Sequence, residues 1–158
     1  MKIAAILALV GCGFGLLAEN FPLLPDKNGL PENWSVYSNT KPRGLAPKGE
    51  LKVENGVLHI KDLADNCEYG VRRPYKFEAG KYVLKLETSG QCTGAQMVVF
   101  DGKKTFAQAF KTGNDPKKWT PVRLNFTTAG GSGFIYIYGT YTGMADFSVR
   151  NISVDPQK

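Results

Sequence analysis

From Leu51 onward, hydrophobic and polar side chains alternate in short runs, each closed by turn-forming residues. Tyr82, Leu84 and Leu86 interleave with Val83, Lys85 and Glu87, and Val122, Leu124 and Phe126 with Arg123, Asn125 and Thr127. A period of two puts successive side chains on opposite faces of a strand, so each run predicts one buried and one wetted face. Leu51–Val53 and Val57–Lys61 flank Glu54-Asn55-Gly56, where Asn-Gly supplies the two positive-φ residues of a tight hairpin. Further strands are predicted at residues 68–73, 95–100, 105–110, 134–138 and 146–154, and beyond the N-terminal leader no segment keeps a 3.6-residue period for more than two turns. The expectation is all-β: a jelly-roll β-sandwich of two antiparallel sheets.

The N-terminal third reads differently. Lys2 is followed by an apolar run from Ile3 to Ala18, the pattern of an export signal with Ala18 as a small residue for cleavage. Leu9-Val10-Gly11-Cys12 also resembles a lipobox, which would cleave before Cys12 and anchor the product by lipid. Both readings send the domain out of the cytoplasm: secreted or periplasmic in the first, lipid-anchored at Cys12 in the second. Residues 1–18 are thus expected to be a signal peptide and residues 19–158 one β-sandwich domain. Within it, residues 19–49, rich in Pro, Asn, Gly and Lys, form a wrapping segment with one short strand, and residues 50–155 supply the core strands.

Composition narrows the chemistry. With 158 residues, 42% hydrophobic, the chain can bury a core, and 18 Gly with 9 Pro supply many turns. Loss of Lys2 with the leader lowers the formal charge from +6 to +5, and the basic pairs Arg72-Arg73, Lys103-Lys104 and Lys117-Lys118 are dispersed. Such a mild excess reads as a solvated surface and not as a nucleic-acid patch. One histidine, His59, excludes His-rich metal sites and reads as a strand surface residue. Nucleophile-elbow, phosphate-loop and zinc-protease motifs are absent from the sequence, and carboxylate pairs such as Glu50/Glu54 or Asp62/Asp65 single out no glycosidase site, so no enzyme is expected. Cys67 and Cys92, the two cysteines left after export, are expected to form a disulfide, with two buried thiols as the alternative.

Five segments are recognisable in order: Asn28–Trp34, Asn55–Ile60, Phe77–Leu84, Trp119–Thr128 and Phe147–Val154. Together they resemble the galactose-binding-like β-sandwich of bacterial carbohydrate-binding modules of the type appended to cellulases and xylanases. The resemblance covers about residues 28–155. It implies a non-catalytic module for a polysaccharide or oligosaccharide, without a cofactor, and structural positions for Trp34 and Trp119. Members commonly carry Asp-Asp or Asp-Asn in the closing strand, where this chain has Arg150-Asn151, which puts their structural calcium in doubt. Phe147 and Val149 share one parity and Ile152 and Val154 the other, so a bulge is expected at Arg150-Asn151.

A sugar site needs a flat apolar surface for the C–H face of a ring and fixed polar groups for its hydroxyls. The strand Phe134-Ile-Tyr-Ile-Tyr138 offers it if both isoleucines face the core, exposing Tyr136 and Tyr138, beside Arg123 and Asn125 if their strand is adjacent. Tyr141, Tyr69, Arg72 and Gln96 are further ligand-binding candidates. The opposite parity would bury the aromatic row. A protein-binding or assembly role in the envelope or matrix is the alternative function.

Overall fold

A computed structural model describes residues 17–39, 48–63, 67–112, 115, 117–141 and 145–158. Cys12, and all of the expected leader except Leu17 and Ala18, lie outside the described residues. Among the described residues eight strands make the fold: β1 (Glu19–Phe21), β2 (Ser35–Asn39), β3 (Gly49–Glu54), β4 (Val57–Asp62), β5 (Glu68–Phe100), β6 (Thr105–Thr112), β7 (Thr120–Gly139) and β8 (Ala145–Gln157). Every pairing between them is antiparallel.

Two very long strands, β5 and β7, bend from one layer of the sandwich into the other. Residues 69–77 of β5 pair with residues 131–139 of β7, which pair on their other side with residues 95–100 of β5. With β2 on one edge and β6 on the other, these segments make the first layer. Residues 79–88 of β5 pair with residues 120–129 of β7 on one side and with β8 on the other. β8 carries β4, β3 and the short β1 and so completes the second layer. β7 turns between the layers at Gly130 (φ 86°) and Gly131 (φ 145°), a left-handed backbone that a Cβ disfavours.

The alternation read in the sequence sets the core. Val71, Met97, Val99, Ile135 and Ile137 of the first layer face Leu58, Ile60, Leu84, Leu86, Phe147 and Val149 of the second, all essentially inaccessible to solvent. Each such aliphatic residue contributes about 1.5–3 kcal/mol relative to its exposed state. Asn55 (φ 51°) and Gly56 (φ 74°) form the predicted hairpin turn. The register between β5 and β8 shifts between Lys85 and Glu87, opposite Asn151 (φ 51°), so the expected bulge brings both Val149 and Ile152 into the core.

Three expectations need correction. No disulfide joins Cys67 and Cys92; both are buried thiols. Burial raises the Cys92 thiol to about 11, reinforced by Asp62 and opposed by a backbone hydrogen bond from Gly94. Trp34 is buried and meets Phe21 edge to face, as a structural position should, but Trp119 is only half-buried, with the Arg150 guanidinium 4.0 Å from its ring centre. Among the described residues of 19–49, two strands, β1 and β2, precede the start of β3 at Gly49, where one short strand was expected. His59 lies on the outer face of the second layer, its Nδ1 2.8 Å from Ser148 Oγ.

Candidate functional site

The parity of β7 settles which row faces solvent. Ile135 and Ile137 are sealed in the core, so Phe134, Tyr136 and Tyr138 project from the outer face of the first layer. Strand pairing then fixes their neighbours. Arg72 lies beside Tyr136, with Ser35 beyond it on β2 and Val98 on the far side. Gly70 lies beside Tyr138, with Tyr37 beyond it and Gln96 on the far side.

These positions build an aromatic shelf. The Tyr37 ring centre is 5.0 Å from that of Tyr136 and 5.0 Å from that of Tyr138, and Phe134 follows at 5.9 Å from Tyr136. Phe134, Tyr136 and Tyr37 are half-buried, whereas Tyr138 is 7% exposed and forms the floor. Gly70 makes the close packing possible: a Cβ there would meet the Ile137 carbonyl oxygen at 2.2 Å and Tyr138 Cα at 2.6 Å. At its Phe134 end the shelf runs into a depression of about 350 Å³ between Pro74, Lys76 and Ser132.

Polar groups are fixed around the rings. Tyr37 donates its hydroxyl to Glu68 Oε2 at 2.7 Å, and Tyr138 donates to Gln96 Oε1 at 2.8 Å. Arg72 Nε donates to Ser35 Oγ at 3.3 Å while its guanidinium carbon lies 5.4 Å from the Phe134 ring centre. Burial is the main cause holding both phenols above their ordinary value of 10, with the Glu68 charge and Tyr141 adding to it. Both therefore stay neutral and keep a proton to donate. Stacking planes with oriented amide, hydroxyl and guanidinium groups can take a ring's apolar face and its hydroxyls together.

Of the candidates read from the sequence, the structure brings Tyr136, Tyr138, Arg72 and Gln96 onto this one face, with Tyr141 an electrostatic neighbour of Tyr37 and Tyr138. Arg123 and Asn125 are not beside the tyrosines. They are exposed on residues 120–129, the part of β7 that belongs to the second layer. Tyr69 has the opposite parity to Gly70 and is buried, its ring filling the space over Gly49, where a Cβ would lie 2.1 Å away. Tyr37 and Glu68 escaped the sequence reading as site residues. Val36 beside Tyr37 is exposed although hydrophobic, so β2 lacks the alternation that would have flagged it. Among the described residues no group of three or more His, Cys, Asp or Glu side chains could hold a metal ion. Arg150 pairs with Glu87 Oε2 at 2.7 Å.

No protein-family model matches the chain, and no curated protein matches it in sequence. Solved structures do match in fold. A CBM4 carbohydrate-binding module superposes with a TM-score of 0.61 at 12% identity, over 86% of this chain and 94% of the module. A variant of the family 29 module CBM29-2, complexed with cellulohexaose, gives 0.53 at 12% identity, over 89% and 92%. A Stig cyclase, FisC from Fischerella sp. TAU, in complex with a pyrrolidinylidene-indole, gives 0.61 at 13% identity, over 81% and 87%, so this fold also serves catalysis. The architecture of this chain is the β-sandwich of carbohydrate-binding modules.

Proposed function

We propose that this protein is an exported, non-catalytic carbohydrate-binding module whose ligand lies along the outer face of the first layer. The observation that carries this reading is the half-exposed ring series Tyr37, Tyr136 and Phe134, bordered by Arg72, Gln96 and Glu68. The rings take the C–H faces of successive sugars, and Arg72 and Gln96 take hydroxyls. Tyr138 supports the rings from below. The fold supports the reading because it is shared with carbohydrate-binding modules, one of them seen with cellulohexaose. That likeness also favours a place outside the cytoplasm, in line with the apolar leader at residues 1–18.

The test is titration calorimetry of the protein without its leader against neutral oligosaccharides, cellohexaose among them, together with a glycan array. Binding to at least one glycan, lost in Tyr136→Ala with the melting temperature unchanged, supports the proposal. A folded protein that binds no glycan and instead forms a stable protein complex overturns it in favour of an assembly role.

A further inference from the structure

We infer a second saccharide site, selective for sugars that carry an anionic group, at the seam between the two layers. It lies away from the tyrosine shelf, where β6, the edge of the first layer, faces residues 120–129 of β7, the edge of the second. An opening of about 600 Å³ lies there, within the range of ligand pockets. Phe106, Phe126 and Tyr82 form its apolar part, with Phe126 5.6 Å from Phe106 and 5.5 Å from Tyr82 between ring centres. Lys81, Lys104, Asn125, Thr127 and Gln157, all exposed, form its polar rim.

The charge of this lining is one-sided. Two ammonium groups line the opening and no carboxylate side chain does. Among the described ion pairs neither Lys81 nor Lys104 takes part. The acids close by are already committed. Asp101 accepts the backbone N–H groups of Lys103 and Lys104 and the Thr128 hydroxyl, and Asp155 pairs with Lys85. Two ammonium groups outside the described ion pairs, Lys104 with Asp101 as an electrostatic neighbour, together with aromatic rings, two amides and a hydroxyl match a sugar bearing a carboxylate or sulfate: the ring face on Phe106, the anion between the lysines, the hydroxyls on Asn125, Thr127 and Gln157. This gives Asn125, the sequence candidate stranded from the tyrosines, a ligand of its own.

The test titrates the protein with oligogalacturonate, with a sulfated oligosaccharide and with cellohexaose, following backbone and side-chain amide signals by NMR. An acidic oligosaccharide should shift the Asn125 and Gln157 amides and bind more weakly as salt rises. Binding should fall about tenfold or more in Lys81→Ala/Lys104→Ala and survive in Lys81→Arg/Lys104→Arg and in Tyr136→Ala. The two acidic probes distinguish carboxylate from sulfate recognition. Binding of neither, equal binding by the double alanine variant, or binding of benzoate alone among carboxylates overturns the inference. Because Tyr136→Ala removes only the shelf, the two sites stand or fall separately.

Discussion

The Tyr37 hydroxyl reaches from the edge strand β2 to Glu68 on β5, 2.7 Å away, and so holds its ring against both Tyr136 and Tyr138. A charge-assisted bond of this kind orients a side chain that would otherwise rotate freely at an edge. Glu68→Gln should keep an acceptor and most of the glycan affinity, whereas Glu68→Ala should lower affinity by about fivefold, on the order of 1 kcal/mol. Calorimetry on both variants checks it: equal affinities would mean that Tyr37 needs no such anchor.

Tyr136 and Tyr138 should separate binding from stability. Tyr136 is half-buried and pairs edge to face with Tyr37, so its replacement by Ala should reduce glycan affinity roughly tenfold or more with little loss of stability. Tyr138 is 7% exposed and donates to Gln96, so Tyr138→Ala should destabilise the fold by about 3 kcal/mol whether or not a ligand is present. Thermal denaturation read beside binding makes the distinction.

Acid should act through Asp101. The backbone N–H of Lys104, the Thr128 hydroxyl and the backbone N–H of Lys103 hold its carboxyl below the ordinary 3.8. A depressed folded-state value adds stability that is fully present above the unfolded value and is lost as pH falls through the folded one. Asp101→Asn should therefore be less stable than wild type at pH 7, and the gap should narrow as pH falls below the ordinary carboxylate range. Urea melts across that range provide the measurement; a gap independent of pH would exclude this carboxylate as the cause.

Thiol chemistry should be silent in the native protein. The Cys92 thiolate forms only near pH 11, and Cys67 is equally buried, its Sγ 3.9 Å from Asp62 Oδ1. At pH 8 neither should react with a thiol reagent until denaturant is added, whereupon both should be alkylated without prior reduction. A tryptic peptide linking Cys67 to Cys92 would contradict this.

Local chemistry carried most of the fold. Asn55-Gly56 and the alternations at Tyr82–Glu87 and Val122–Thr127 specify turn and face by themselves, since pleat and φ preference act over a few residues. What alternation leaves undefined is the layer. Asn125 and Tyr136 share one strand, and only the bend at Gly130-Gly131 sends them to different sheets. Tyr37 was hidden for a related reason: its partners Glu68 and Tyr138 are remote in sequence, and nothing local to β2 announces them. The disulfide expectation failed on the same gap, because spacing along a chain does not determine how two sulfur atoms meet in space.

The bends in β5 and β7 mean that neither half of the molecule can be cut out as an independent piece. Along the pairing of β5 with β7, residues 88 and 120 are 32 positions apart, 79 and 129 are 50 and 69 and 139 are 70, so the rows of the first layer close the largest loop. Assembly should accordingly be slow, on the millisecond-to-second scale of all-β domains, and a chain that stops after residue 130 should stay unstructured and prone to clump.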